Sequence, residues 1–518
     1  MSRKAKTAPI AVIDIGSSAL RLKIAESSKN NLKYIEALSY PLKLGRDTFD
    51  TGQISFEKAE KTCAILKNFL TVSAEYGVTD VRAIATTAIR EATNRSYILD
   101  QIKIKTGLNV QVIDDFEEKF YIYKLMLHML DENLKKSAIL VHIGSGNVGV
   151  AVVENGIIPY VQHIKTGSLR ISEIFTHIQD YSAQYYYVVE EYLDSFTELI
   201  DRNLTKGALH FIASSHEISL IADICGAKQD GIFFFIPKDI FKAKYDEVKH
   251  KTPDRMSLDY ELDMEKAEIL LPAMSIFNNL LELSGADQII APNIYLLDAL
   301  IMEALYPVEF SRINREFERS AVESAKHYAG RFLVKESHIN RVEKHALKIF
   351  DKMKKIHGMG SRAKLLLQTA SVLHDVGKFV NGKLHELHSY HIVSGLDLVG
   401  LNKRETAIVA NICLFHSGLR PGPHHLSYAA LKSDDQVLVS KLAAILRLAN
   451  ALDRGANIKF NDIDVKITEK KLIISIQSDK NTELENWVFN EKGLLFEEVF
   501  GLKAELKKGG SNYGSKRP

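Results

Sequence analysis

IAVIDIGSSALRLKIA (residues 10–25) and AILVHIGSGNVGVAVV (residues 138–153) decide the fold. Each reads as a buried strand, a glycine-rich turn and a second strand. Two such hairpins facing each other make a phosphate clamp. Glycine lets the backbone approach an anion closely, and turn amides and serine hydroxyls donate to it. The first hairpin ends its leading strand on Asp14, and the second has His142 in the matching place. Asp14 suits a divalent cation or a water beside phosphate, whereas His142 is a poor ligand for oxygen-seeking Mg²⁺.

The hairpins head two similar stretches. Strands are expected at 9–15, 20–26, 33–43, 80–85 and 109–113, and helices at 55–76, 95–105 and 116–131. Ala59, Cys63, Leu66, Phe69 and Leu70 carry the helical period of the first helix, and Ser55 caps it after the turn at Asp50–Gly52. A second unit starts at Ser137, with strands near 138–143, 148–154 and 157–165 and a hairpin turn at Asn155-Gly156. This gives an α/β N-terminal half in two lobes, 8–134 and 135–308. From 309 to 455 the pattern is all-helical and rich in histidine. A small α+β subdomain spans 456–508, and 509–518 reads as a disordered tail.

Composition narrows the function classes. A chain of 518 residues exceeds one core, and a net charge of +2 gives no global field for nucleic acid or membrane. Cys63, Cys225 and Cys413 form neither a disulfide framework nor a CxxC site. The basic start leads straight into a strand, and no run is long enough to span a bilayer. A cytoplasmic protein with no nucleic-acid or membrane partner is expected.

Further motifs gather on the first lobe. RAIATTAIREATN (82–94) runs from strand to helix, placing Thr86, Thr87 and Arg90 where amides and a guanidinium meet phosphate. Val112–Glu118 ends a strand and opens a helix with Glu117 and Glu118. The order DIGSS, KLGR, DTG, RAIATTAIREATN, TGLNVQVI with a Glu pair, IGSGN and TGSLR resembles the exopolyphosphatase / guanosine pentaphosphate phosphohydrolase (Ppx/GppA) family. The resemblance implies an actin-like, sugar-kinase-like two-lobed ATPase fold. It also implies removal of terminal phosphate from inorganic polyphosphate or pppGpp, with Mg²⁺ in the N-terminal cleft and a homodimer. It assigns Glu118, with Glu117 beside it, to water activation. It assigns Asp14, Gly16, Ser17, Ser18, Thr86, Arg90, Gly144, Ser145, Gly146 and Asn147 to phosphate.

The sequence departs from the family pattern at definite places. Ser18 replaces Asn, Asp114-Asp115 replaces Ser-Gly, and Lys119 replaces a small residue. The second loop, DIGGGSTE in the family, has His142 for its first acid and Gly149 for its last. Those are the carboxylates the resemblance assigns to Mg²⁺.

The helical region carries a second constellation. His345, His374-Asp375, His388 and His416 resemble the ligand positions of the HD superfamily of metal-dependent phosphohydrolases, implying an HD-type domain. Asn450 stands where that family has its last Asp, and Asp453 lies one turn on. Mixed imidazole and carboxylate donors suit Mn²⁺, Fe or Zn²⁺. Three readings stand: a hydrolase of polyphosphate or pppGpp, a non-catalytic sensor of polyphosphate or guanosine tetra- or pentaphosphate, and an HD-type nucleotide phosphohydrolase.

Overall fold

The computed structural model describes residues 8–28, 31–178, 182–197, 200, 207–453, 460, 462–477 and 482–508. The expected disordered tail, 509–518, lies outside them. The chain divides into two compact units, Met1–Phe317 and Glu318–Pro518.

The first unit holds two sheets. Strands β1 (Ile10–Ile15), β2 (Ala19–Ser28), β3 (Asn31–Pro41), β4 (Asp80–Ala85) and β5 (Val110–Val112) lie in the order β3-β2-β1-β4-β5. The second sheet adds β6 (Ser137–Ile143), β7 (Val148–Glu154), β8 (Ile157–Ile164), β9 (His210–Ser215), β10 (Lys228–Asp230), β11 (Phe233–Pro237) and β12 (Gln288–Pro292). Its order is β10-β11-β12-β9-β6-β7-β8. Three antiparallel strands followed by parallel neighbours recur in both sheets: β1 pairs antiparallel with β2 and parallel with β4, and β6 does the same with β7 and β9. This is the internal repeat the hairpins announce, and it is the two-lobed α/β plan expected of them. Each sheet buries an apolar core of its own.

Local chemistry sets the boundaries. Ser55 accepts from the Lys58 amide and caps helix Phe56–Glu75. Asn155 and Gly156 take φ of 51° and 77°, the left-handed pair a tight hairpin needs. Helix Leu44–Thr51, closed by Gly52 at φ 76°, lies between the expected strand 33–43 and the expected turn at Asp50–Gly52, where no element is expected. Its N-cap, Lys43, is left-handed and makes no side-chain cap, so the usual start signal is absent.

The repeat also aligns the two jaws residue by residue. Asp14 pairs across its hairpin with Arg21, and His142 pairs across its own with Gly149. The two departures from the family loop are therefore one cross-strand pair, facing each other on one sheet.

In the second unit, helices Glu336–Lys352, Ser361–Leu373, His385–Ser394, Lys403–Phe415 and Ser433–Ala451 pack together. Strands β13 (Ile463–Ile467), β14 (Lys471–Ile476) and β15 (Lys503–Lys508) form a three-stranded sheet. Helix Glu483–Phe500 packs on both β15 and helix Ser433–Ala451. The expected α+β segment is thus part of this unit's fabric. Among the described residues no helix is long and apolar enough to cross a membrane, and all three cysteines are buried thiols.

Candidate functional site

The first jaw is built by the β1–β2 turn. Asp14 is buried, with Arg21 at 3.6 Å on one oxygen, while its Oδ1 has no hydrogen-bond partner among the described residues. Burial raises its pKa to about 6; the Arg21 guanidinium opposes this and Glu118 adds to it. Gly16 is required because a Cβ there would lie 2.9 Å from the Ala19 carbonyl. Ser18 accepts from Arg21 (3.2 Å), and Thr86 closes the jaw through its amide on the Ile15 carbonyl (3.4 Å).

Helix Asp115–Met129 starts beside this jaw. Asp114 caps it, and the Glu117 carboxylate reaches back to the Asp114 amide (3.1 Å) in a capping box. Glu117 therefore serves the helix end, and Glu118 is the acid that remains for the cleft. Glu118 is buried, and its Oε2 lacks a hydrogen-bond partner among the described residues. Arg90, expected on phosphate, is turned inward. It donates to the Ile113 carbonyl (2.9 Å) and Thr87 Oγ1 (2.8 Å), and it pairs with Asp115, because the cap places that carboxylate beside it.

A closed circuit follows. Arg90 pairs with Asp115; Asn147 Nδ2 donates to the same Asp115 oxygen (2.8 Å); Lys119 donates to Asn147 Oδ1; Lys119 lies 3.8 Å from Glu118, and Glu118 lies 3.8 Å from Arg90. Two cations and two anions alternate round it. Sequence reasoning noted Lys119 only as a departure from a small residue and gave Asp115 and Asn147's amide no such part.

The second jaw is shaped by that lysine. The side chain of Lys119 is 0% exposed. A Cβ on Gly149 would overlap the Tyr123 hydroxyl and lie 3.1 Å from Lys119 Cγ and Cδ. No acid fits there. His142 Nδ1 faces Ser214 Oγ at 3.3 Å, and burial, with Lys119 adding to it, holds the imidazole well below its usual pKa, so it is neutral. Gly167 fits under the Gly144–Asn147 turn only without a side chain, since a Cβ would come 2.6 Å from the Asn147 amide. The oxygen donors the resemblance assigned to Mg²⁺ on this jaw are thus a neutral imidazole and a bare glycine beside an ammonium. They do not fit that ion.

The second unit gathers a different cluster. His374 ends one helix and His416 another. Their Nδ1 atoms face the carbonyls of Ser371 (2.8 Å) and Cys413 (2.6 Å), aiming both Nε2 atoms inward. His338 Nε2 lies 3.3 Å from His374 Nε2, and His385 Nε2 lies 3.2 Å from His416 Nε2. Asp375 sits between the pairs, with Oδ2 at 3.1 Å from His338 and Oδ1 at 3.4 Å from His385. His338, His374 and Asp375 form one group that could hold a metal ion, and Asp375, His385 and His416 another. Burial lowers the His374 pKa to about 3, so it is neutral and ligand-ready.

Two expected ligands fall outside these groups. His345 and His388 belong to neither group. His345 lies two turns into its helix, fully buried, while His338 in the first turn reaches the cluster. His388 lies one turn past His385, which opens the helix. Gly377 lets that helix approach, because a Cβ there would overlap the His385 carbonyl and the Ser389 amide. Asp453 does reach the cluster: it lies 2.6 Å from His338 Nδ1 and accepts from Arg341. The cavity over the cluster measures about 920 Å³, and Lys335, Arg341, Lys378, Arg447 and Lys492 line it.

Comparison with known proteins matches two stretches of the chain to one family. The description "Ppx/GppA phosphatase family" matches residues 23–305, and "Ppx/GppA phosphatase, domain III" matches residues 321–497. A guanosine-5'-triphosphate,3'-diphosphate pyrophosphatase of Photobacterium profundum is 21% identical over 480 residues, covering 90% of this chain and 91% of its own. A solved Ppx/GppA family member from Aquifex aeolicus is 23% identical, covers 57% of this chain and 97% of its own, and has a TM-score of 0.49. An exopolyphosphatase structure from Cytophaga hutchinsonii is 18% identical, covers 58% and 98%, and has a TM-score of 0.48.

The raised pKa of Asp14 has a measurable consequence. A carboxyl with a folded pKa of about 6 and an ordinary value of 3.8 favours the folded state fully below the lower value, and that contribution is lost as pH rises through about 6. Asp14→Asn removes this dependence. Urea denaturation from about pH 4 to about pH 7 is expected to show the variant gaining on wild type by up to about 3 kcal/mol. Parallel curves would mean that Asp14 titrates normally.

Proposed function

This chain belongs to the Ppx/GppA phosphatase family, and we propose that its first unit is a phosphoanhydride hydrolase. The proposed reaction releases terminal phosphate from inorganic polyphosphate or from the 5' end of pppGpp. The observation that carries this reading is the pair of buried carboxylate oxygens, Asp14 Oδ1 and Glu118 Oε2, with no hydrogen-bond partner among the described residues. Buried acceptors are rarely left so, and a water held by Glu118 beside the phosphate satisfies them. Ser17, Ser18 and the Gly144–Asn147 turn supply donors for the anion, and Arg90 and Asp115 fix the start of the helix that carries Glu118. A cytoplasmic homodimer completes the proposal, as the resemblance implies.

Glu118→Gln keeps the shape and removes the base. Phosphate release from long-chain polyphosphate and from pppGpp is expected to fall by about 10²–10⁴-fold, with binding of both retained. Wild type that binds them without releasing phosphate would leave the sensor reading in place of the hydrolase.

A second reading is favoured by the histidine pairs on either side of Asp375. We propose that His338, His374, Asp375, His385 and His416, with Asp453 beside His338, hold Mn²⁺, Fe or Zn²⁺ in an HD-type site. Imidazole nitrogens facing each other at 3.2–3.3 Å on either side of Asp375 are a donor set that suits such a cation. Bound there, the metal would activate water against a phosphate ester, and the lysines and arginines of the cavity suit an anionic substrate. Elemental analysis of purified protein is expected to find stoichiometric transition metal, lost in His374→Ala and kept in Glu118→Gln. Wild type that carries none and takes up no added Mn²⁺ would rule this site out.

A further inference from the structure

We propose that the Lys119 ammonium is the resident cation of the first unit's cleft, standing in for a divalent metal, so that the cleft takes phosphate chains without Mg²⁺. The inference rests on the phosphate-binding reading of that cleft.

Three observations carry it. The ammonium has the surroundings of a bound cation: it donates to Asn147 Oδ1, has Glu118 Oε1 at 3.8 Å, and lies 3.3 Å from where a Cβ would stand on Gly144. It sits against the phosphate turn with no solvent exposure. Its position is also incompatible with an acid on the second jaw. The stem of Lys119, with the Tyr123 hydroxyl, fills the space a side chain on Gly149 would need. The residue across the hairpin, His142, is the neutral imidazole expected next to a fixed positive charge.

The three positions therefore describe one exchange. An acid at 142, an acid at 149 and a small residue at 119 would leave a negatively charged gap for a metal. A histidine, a glycine and a lysine close the gap with a charge the chain carries itself. A divalent ion brought into the same place would meet an ammonium it cannot displace. Phosphate meets a turn whose Asn147 is already held by an ammonium, itself balanced by Glu118, and this needs no metal. Lys119 acts as a positioning residue: it fixes Asn147 and sets the potential of the turn.

Calorimetric titration of the full chain with inorganic tripolyphosphate tests this, in EDTA and with excess free Mg²⁺. Wild type is expected to bind equally in both. Lys119→Met, which keeps the stem and removes the charge, is expected to bind about 10-fold or more weakly under both conditions, the effect of losing one charge-assisted interaction. A purely structural role of the stem would leave Lys119→Met binding like wild type. That outcome overturns the inference, as does wild type that binds only with Mg²⁺. If the variant does not fold, the wild-type comparison decides alone. Absence of binding under both conditions overturns the phosphate-binding reading and this inference with it. Binding that requires Mg²⁺ overturns this inference and leaves that reading standing.

Discussion

The ammonium of Lys119 has no access to solvent, and the rest of the first unit's cleft is arranged around that fact. A buried charge is tolerated only when it is paired and hydrogen-bonded, and removing one partner of such a set costs about 3–5 kcal/mol. Glu118, Asn147, Asp115 and Arg90 provide the compensation in one circuit. Because Asn147 belongs to the second hairpin and the other members to the first lobe, the circuit also ties the two jaws together. Gly149 is bare because the lysine lies over it, and His142 stays neutral because burial and the lysine both oppose a second charge.

The second unit meets a similar problem with different means. His374 and His416 are oriented by backbone carbonyls at helix ends, and His338 and His385 by the carboxylates of Asp453 and Glu386. Asp375 is shared between two pairs, and its pKa is held well below the usual range by the histidines around it despite its burial. The first unit's cleft thus centres on an ammonium, whereas the second unit's cluster centres on an acid, Asp375, shared by histidines and by Lys378.

Much of this was legible in the sequence. The two hairpins, the Asn155-Gly156 turn and the Ser55 cap are local signals, and the structure places each where its chemistry requires. Helix Leu44–Thr51 was not legible, because its left-handed Lys43 cap leaves no residue-type signature. The direction of Arg90 was not legible either: it depends on which carboxylate the Asp114 cap leaves beside it. Glu117 and Glu118 are adjacent in sequence, and only the capping box separates the one that ends a helix from the one that faces the cleft. Among the histidines, residue type gave the cluster, but His338 and His345, or His385 and His388, are whole turns apart on one helix. Periodicity cannot choose between them. The choice falls to packing, in the second pair to the close approach that Gly377 permits.

The central claim is that the first cleft carries its own positive charge while the second unit's cluster takes a metal. Anomalous diffraction from crystals soaked with Mn²⁺ and tripolyphosphate tests both halves at once. The account predicts a manganese peak between the histidine pairs at Asp375, phosphate density on the Gly144–Asn147 turn, and no manganese near Lys119. A manganese peak between Asp14 and Glu118, with Lys119 swung away from Asn147, would contradict it.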